Sequence, residues 1–123
     1  MKFQPDALAG TNAIARHGKD GVVVNGVTHT SSVVVPWRGT VTTWPAQRFE
    51  QLSIEHFAEL ALLEPELVIF GSGVKMRFAP PACLRPLIEK GIGFESMDTA
   101  AACRTYNVLL AEGRAVLAAL LFE

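Results

Sequence analysis

The sequence of 123 residues has no excess of charge of either sign, no long apolar run and few cysteines. Its 11 basic and 12 acidic residues give a net charge of −1. Nucleic-acid-binding domains carry a basic excess or stripe, and neither is present here. Disordered chains combine low hydropathy with high net charge, whereas 50% of these residues are apolar and 19% are charged. The composition predicts a globular chain, and its length predicts one domain over residues 1–123.

No stretch of the sequence is apolar for long enough to cross a membrane as a helix. The longest apolar run extends only from Ala115 to Phe122, whereas a membrane helix needs about 20 such residues. The first residues, Met1 to Asp6, include no apolar core of a secretory signal peptide. We therefore expect a cytoplasmic protein without a transmembrane segment.

The two cysteines, Cys83 and Cys103, form no CxxC pair. The three histidines, His17, His29 and His56, lie far from them in sequence, while zinc sites cluster their ligands at short spacings. A catalytic cysteine needs a nearby base and a polar setting, but alanines precede Cys103. Two buried thiols in a reducing compartment are therefore expected. The sequence predicts no metal, no cofactor and no catalytic residue.

Turn signals and β-branched residues predict that the first half of the chain forms strands. Asn25-Gly26 is the strongest short hairpin signal, because both residues tolerate a positive φ. Pro36 and Pro45 end later strands, since proline cannot donate to a ladder. We expect a β-meander that extends from Ala13 to Pro45.

The second half alternates between helical and strand patterns, which is typical of an α/β fold. Leu67–Phe70 is wholly apolar, as in a strand inside a parallel sheet. Ala115–Phe122 fits a strand or a short helix, because its alanines favour a helix while its length and placement favour a strand. The other predicted elements are a helix from Ser53 to Pro65, a helix from Pro80 to Gly91, a strand from Ile92 to Ser96, and a helix from Asp98 or Thr99 to Ala111.

Two loops that follow predicted parallel strands form the candidate ligand pocket. Gly71-Ser72-Gly73 follows the first strand and Met97-Asp98-Thr99 follows the second. Ligands of open α/β sheets bind in the crevice at such strand ends. A helix that begins at Thr99 directs free N–H groups there, which favours an anion. Nearby polar residues complete the candidate pocket: Arg77, Thr105 and Tyr106.

The residues of this pocket also have structural interpretations, which the sequence favours. The two glycines lack the third member of a dinucleotide fingerprint, because Met76 stands at that position. A glycine pair also suits a tight reversal of the chain. Asp98 is a preferred helix cap, and its charge would repel an anion. Tyr106 suits a core position where its hydroxyl finds a partner.

Trp37 and Trp44 lie on either side of a loop and form the candidate partner surface. Tryptophan is enriched at protein–protein interfaces. It is also strongly buried on average, so core positions beneath the meander are the favoured alternative.

The C-terminal half carries a string of motifs: Leu67-Val68-Ile69-Phe70-Gly71-Ser72-Gly73, Gly91-Ile92, Met97-Asp98-Thr99, Thr105-Tyr106-Asn107 and Glu112-Gly113-Arg114. In order and spacing, these motifs resemble the Mth-like family of small domains of unknown function. The Asn25-Gly26 turn and the Trp44 strand also fit, so the resemblance covers nearly the whole chain. The family includes a mitochondrial assembly factor of respiratory complex I (NADH dehydrogenase).

The resemblance implies a three-layer α/β fold, with an N-terminal β-meander and a central mixed sheet flanked by helices. It makes Ala115–Phe122 a strand of that sheet. Connection geometry favours a parallel direction for this strand, and the family favours an antiparallel one, so the direction stays open. The family has no established reaction, so the resemblance implies no catalytic residue. Its mitochondrial members associate with subunits of an assembling complex, which implies protein partners.

Two functional hypotheses follow from the sequence. The leading one is a non-enzymatic protein-binding or assembly module, with apolar surface on the meander for a partner or a homodimer. The absence of a convincing nucleophile–base pair favours it. The alternative is a small-molecule or anion-binding protein, or an enzyme, with its site at Gly71-Ser72-Gly73 and Met97-Asp98-Thr99.

Overall fold

Tight turns divide the start of the chain into three short strands. The computed structural model of the protein describes residues 10–123. Three strands form an antiparallel sheet in chain order: β1 (Ile14–Gly18), β2 (Gly21–Val24) and β3 (Val27–His29). Asn25 and Gly26, which connect β2 to β3, have φ angles of 52° and 80°. These left-handed conformations belong to the hairpin turn that the Asn-Gly pair predicted.

The other strands form a five-stranded mixed sheet, here called the central sheet, in the order β5-β4-β8-β6-β7. They are β4 (Val33–Pro36), β5 (Thr42–Thr43), β6 (Leu67–Gly71), β7 (Gly93–Met97) and β8 (Val116–Leu120). β8 lies parallel to β6 and antiparallel to β4, and β7 lies parallel to β6. The last strand is therefore parallel to its two predecessors in the chain, as connection geometry favoured.

The expectation of one meander up to Pro45 is wrong in its second part, because β4 and β5 pair within the central sheet. All four residues of β4 are buried. A strand that is covered on both faces fits the interior of a sheet between two layers, and not a one-sided meander.

Three helices flank the central sheet: α1 (Ile54–Leu62), α2 (Arg85–Glu89) and α3 (Thr99–Ala111). α1 begins after Ser53 and α3 begins after Asp98, as predicted. The helix predicted between Pro80 and Gly91 is shorter, because Pro81–Leu84 forms a 3-10 helix before α2. Within the described range, none of the helices combines the length and apolarity needed to span a membrane.

The central sheet lies between two layers that bury both of its faces. Helices α1 and α2 cover one face, where Phe57 and Phe70 contact each other in the core. Helix α3 and the three-stranded sheet cover the other face, where Cys103 and Tyr106 are fully buried. Every residue of β8 has an exposed fraction of 0%. The architecture is the three-layer α/β fold that the family resemblance implied.

Trp44 lies inside the core between α1 and the central sheet. Its exposed fraction is 1%, and its ring centroid lies 5.7 Å from that of Phe57 and 6.1 Å from that of Phe70, edge-on in both cases. Trp37 is half-buried and packs against the core on the opposite face of the sheet. Trp44 therefore offers no surface to a partner: its assignment to a partner surface is wrong, and it occupies a core position, the alternative that the sequence favoured.

Candidate functional site

A cavity of about 350 Å³ lies where the parallel strands of the central sheet end. Because β6, β8 and β7 are parallel neighbours, their carboxyl ends meet at one edge, where α/β proteins bind ligands. The turn between β1 and β2 closes the cavity from the other side. We call this cavity the strand-end crevice, and it is lined by His17, Gly18, Lys19, Gly73, Val74, Asp98, Thr99, Ala100, Leu121, Phe122 and Glu123.

The two predicted loops meet through direct hydrogen bonds. The Ser72 N–H donates to the Met97 carbonyl at 2.9 Å, and the Thr99 N–H donates to the Gly73 carbonyl at 2.9 Å. The Gly73 N–H in turn donates to Thr99 Oγ1 at 2.8 Å. The strand-end geometry expected from the sequence is therefore present, and it is held together by the loops' own polar groups.

Ser72 is fully buried, and its hydroxyl serves the conformation of its own loop. Its Oγ lies 2.7 Å from the Lys75 carbonyl oxygen and 3.1 Å from that of Met97. It also accepts a hydrogen bond from the Arg77 N–H at 2.8 Å. The proton of this hydroxyl is directed at backbone carbonyl groups and its oxygen already accepts one bond, and the buried side chain does not line the crevice.

The two glycines of the motif permit close approaches of the backbone. A Cβ atom at Gly71 would lie 2.9 Å from Thr99 Oγ1. Gly73 has a φ of 104°, and a Cβ there would lie 2.7 Å from the Glu123 carbonyl oxygen. The Gly-Ser-Gly motif therefore allows the start of α3 and the end of the chain to pack against β6.

Thr99 links the ends of all three parallel strands. Its hydroxyl accepts from the Gly73 N–H and donates to the Leu121 carbonyl at 2.7 Å. Asp98 caps α3, because its carboxylate accepts from the Ala101 N–H at 2.8 Å. Both residues line the crevice, but the Thr99 hydroxyl and one oxygen of the Asp98 carboxylate already have partners.

Arg77 is held away from the crevice by three interactions. Its Nη2 atom lies 3.0 Å from the Glu123 carboxylate and donates to the Ser72 carbonyl at 3.2 Å. Its guanidinium carbon lies 4.5 Å from the centroid of the Phe49 ring. The arginine therefore neutralises a carboxylate at the mouth of the crevice and does not supply a free cation to it.

His17 and Lys19, two exposed side chains that line the crevice, were not found by sequence reasoning. Both side chains are exposed, and neither has a side-chain hydrogen bond or ion pair within the described part of the chain. They reach the crevice because the turn between β1 and β2 folds over the strand ends. The sequence signal nearby is Asp20-Gly21, which predicts a turn but not which part of the fold the turn contacts.

Tyr106 and Thr105 do not line the crevice. Tyr106 lies about 10 Å along α3 from its first residue, at about 1.5 Å per residue. Its hydroxyl is fully buried, 2.9 Å from the Asn12 carbonyl oxygen and 3.1 Å from that of Pro36. Burial raises the pKa of Tyr106 well above its usual value. The placement of these residues in the pocket is wrong, because a helix that leaves the sheet edge carries them away.

The cysteines offer no nucleophile in this environment. Cys83 and Cys103 are both free and buried. Burial raises the pKa of Cys103 to about 12, against which the positive charge of Arg104 acts only weakly. The thiol is therefore protonated at neutral pH, and thiols act as nucleophiles through the thiolate. Residues 10–123 also contain no group of three side chains placed to hold a metal ion.

A sequence model of the family described as "Protein of unknown function (DUF498/DUF598)" matches residues 14–121. Those residues include the eight strands and three α-helices of the described part of the chain. The match therefore covers the whole fold, including both loops of the strand-end crevice.

Proteins named NADH dehydrogenase (ubiquinone) 1 alpha subcomplex assembly factor 3 are similar to this chain. The Bos taurus protein is 36% identical over 84 residues, which are 67% of this chain and 46% of that protein. The Danio rerio protein is 32% identical over 123 residues, which are 97% of this chain and 68% of that protein. The chain spans about half the length of the mammalian relatives that it matches.

Solved structures of bacterial proteins share the fold. A crystal structure of a Bordetella parapertussis protein has a TM-score of 0.86 and 37% identity, over 92% of this chain and 97% of that one. A solution structure of a Mth938-like domain from Bordetella pertussis has a TM-score of 0.78 and 33% identity, over 98% and 92% of the two chains. The chain therefore belongs to the DUF498/DUF598 family, and its fold is that of the Mth-like domains.

Proposed function

We propose that the protein is a non-enzymatic module that binds other proteins, in the manner of an assembly factor. The observation that carries the proposal is that the reactive side chains at the strand ends interact with other groups of the same chain. The hydroxyls of Ser72 and Thr99, the Asp98 carboxylate and the Arg77 guanidinium all have internal partners. The similarity to proteins named as assembly factors supports the same function.

Exposed apolar side chains supply the surface that such a module needs. In the described part of the meander, Val27 is the only large apolar side chain that is exposed. The loop of residues 74–78, here called the apolar loop, exposes three: Val74 by 73%, Met76 by 45% and Phe78 by 75%. Exposed apolar clusters are typical of partner sites. The partner surface is therefore proposed on the apolar loop and not on the meander.

The proposal is tested by crosslinking the tagged protein in its native cells and identifying captured proteins by mass spectrometry. A variant with Met76→Ser and Phe78→Ser should lose the captured partner. Val108→Ser is the matched control, since Val108 is 58% exposed on α3 and should retain the partner. If no protein is captured reproducibly, the proposal is wrong.

A cytoplasmic location and self-association are further parts of this proposal. Free thiols at both cysteines fit a reducing compartment. A homodimer would be the simplest protein–protein contact for a chain with exposed apolar groups. Light scattering over a range of concentrations distinguishes a stable dimer from a monomer that binds only a different protein.

A second candidate function is the binding of a small anionic molecule, or an enzymatic reaction on one, in the strand-end crevice. The Lys19 ammonium and the exposed His17 imidazole favour it, as does the volume of about 350 Å³, since ligand pockets start at about 300 Å³. A thermal-shift screen of metabolites tests it, because a ligand at 100 times its Kd stabilises the fold by about 2.7 kcal/mol. The shift should disappear with His17→Ala and Lys19→Ala combined. A screen without a hit that depends on these two residues argues against this function.

A further inference from the structure

Among residues 10–123, the edge strand β7 has one side that pairs with no other strand. Within the described residues, β7 pairs only with β6. The Gly93 N–H donates to the Glu66 carbonyl, and the Met97 carbonyl accepts from the Ser72 N–H. Because backbone groups alternate in direction along a strand, the N–H and C=O groups of Phe94 and Ser96 point to the open side. Such a row of groups can accept another strand.

A groove of about 300 Å³ lies beside this edge. It is lined by Phe78, Ala79, Leu84, Phe94, Glu95 and Ser96. Phe78 belongs to the apolar loop and is exposed by 75%, while Phe94 is half-buried against the core on the α1 and α2 face. The groove therefore offers an apolar wall for a side chain that arrives from the open side of β7.

The strand pleat sets which side chains of an added strand meet which residues. Phe94 faces α1 and α2, so Glu95 faces the opposite side of the sheet. Glu95 is exposed and forms no ion pair or hydrogen bond within the described part of the chain. An opposite charge placed across from it stabilises the strand pair, and a like charge destabilises it.

We propose that β7 accepts an extended segment of a partner protein, with apolar residues on either side of an arginine or lysine. The apolar side chains occupy the groove beside Phe78 and Phe94, and the cation lies opposite Glu95. A second copy of the chain does not fit this edge, because antiparallel pairing of the full strand places Glu95 opposite its own copy. The inference rests on the proposed protein-binding function and identifies the chemistry of the partner.

The test uses the complete, isotope-labelled protein and a capped peptide of eight residues with an Ile-Arg-Ile centre. Titration should shift the backbone amide signals of residues 93–97 and of the apolar loop. A control peptide with Glu in place of Arg should bind about fivefold more weakly, because an attractive cross-strand pair becomes a repulsive one. Equal affinity for both peptides, shifts in another part of the fold, or no shift at millimolar peptide would overturn the inference.

Two variants at Glu95 and one at Phe78 separate charge from folding. Glu95→Lys should reverse the preference between the peptides, and Glu95→Gln should abolish it, while Phe78→Ser should weaken both. Val108→Ser should change neither affinity. If crosslinking captures a partner that Glu95→Lys still binds, and the peptides leave β7 unshifted, the edge inference fails while the protein-binding function stands. If the peptides bind β7 and no cellular partner is captured, the failure lies in the function and not in the edge.

Discussion

The side chain of Asn107 pairs with the backbone of Ile14 like a neighbouring strand. The Ile14 N–H donates to Asn107 Oδ1 at 3.0 Å, and Asn107 Nδ2 donates to the Ile14 carbonyl at 2.8 Å. This pair fixes the start of β1 against the middle of α3. It therefore helps to hold the three-stranded sheet, and with it the turn that carries His17 and Lys19, over the strand ends.

Replacing Asn107 should loosen this attachment. Asn107→Leu removes both partners of partly buried backbone groups, and such losses cost about 1–3 kcal/mol. We expect a lower midpoint in urea unfolding and faster amide exchange in β1 than in β6. The stability of Asn107→Asp should lie between those of the parent protein and Asn107→Leu, since the aspartate retains the acceptor and loses the donor. Equal exchange rates in β1 of the variant and the parent protein would contradict this role.

Gly73 should tolerate alanine less well than Gly113 does. Both residues have a positive φ, of 104° and 84°, but a Cβ at Gly113 meets nothing within 4 Å, while one at Gly73 meets the Glu123 carbonyl oxygen. Gly113→Ala should cost about 1 kcal/mol for the left-handed backbone alone. Gly73→Ala should cost at least about twice as much, because the backbone must also shift. Urea unfolding of the two variants measures the difference. Equal losses of unfolding free energy would show that the close packing at Gly73 adds no cost.

The Thr99 hydroxyl should matter for its two hydrogen bonds and not for the volume of its side chain. Thr99→Val keeps the shape but leaves the Gly73 N–H and the Leu121 carbonyl without their partner, at a cost of about 1–3 kcal/mol. Thr99→Ser retains the hydroxyl and should lose much less stability. Thermal unfolding of both variants tests this. A valine variant as stable as the serine variant would show that the link between strand ends is not needed.

Local chemistry made the turns and caps predictable. Asn25-Gly26 and Asp98 act through their own backbone and their nearest neighbours, so the sequence identifies the hairpin and the start of α3 without knowledge of the fold. The parallel pair β6 and β7 followed from the strand–helix–strand order, because such crossovers give parallel neighbours. The contact between the two loops followed from that pairing.

Long-range packing decided what the sequence did not reveal. The hydroxyl of Tyr106 meets carbonyl groups 94 and 70 residues away in the chain, so the sequence favoured a core position for this residue but could not identify its partners. The direction of β8 depended on its pairing with both β4 and β6. The pairing of β4 with β8 likewise places β4 in the central sheet and not in the meander. His17 and Lys19 reach the crevice only through the docking of one sheet on another layer.

Tyr106 gives the fold a dependence on alkaline pH that can be followed directly. Burial raises the pKa of this hydroxyl above its usual value of 10.0. A raised pKa in the folded state means that its stabilisation is complete below pH 10 and decreases as the pH rises from there towards the folded-state pKa. The unfolded chain releases this proton first, so alkali favours unfolding.

The only tyrosine of the chain makes this prediction measurable, since tyrosinate absorbance reports on Tyr106 alone. We expect the absorbance to appear together with the loss of circular dichroism above pH 10, and not before it. Tyr106→Phe should lose about 1–3 kcal/mol at neutral pH, because the buried Asn12 carbonyl loses its side-chain donor while the Pro36 carbonyl retains Asn12 Nδ2. The stability of Tyr106→Phe should also fall less steeply with pH than that of the parent protein. Tyrosinate absorbance in a protein that is still folded near pH 10 would mean that the hydroxyl is accessible and that its role in the core is wrong.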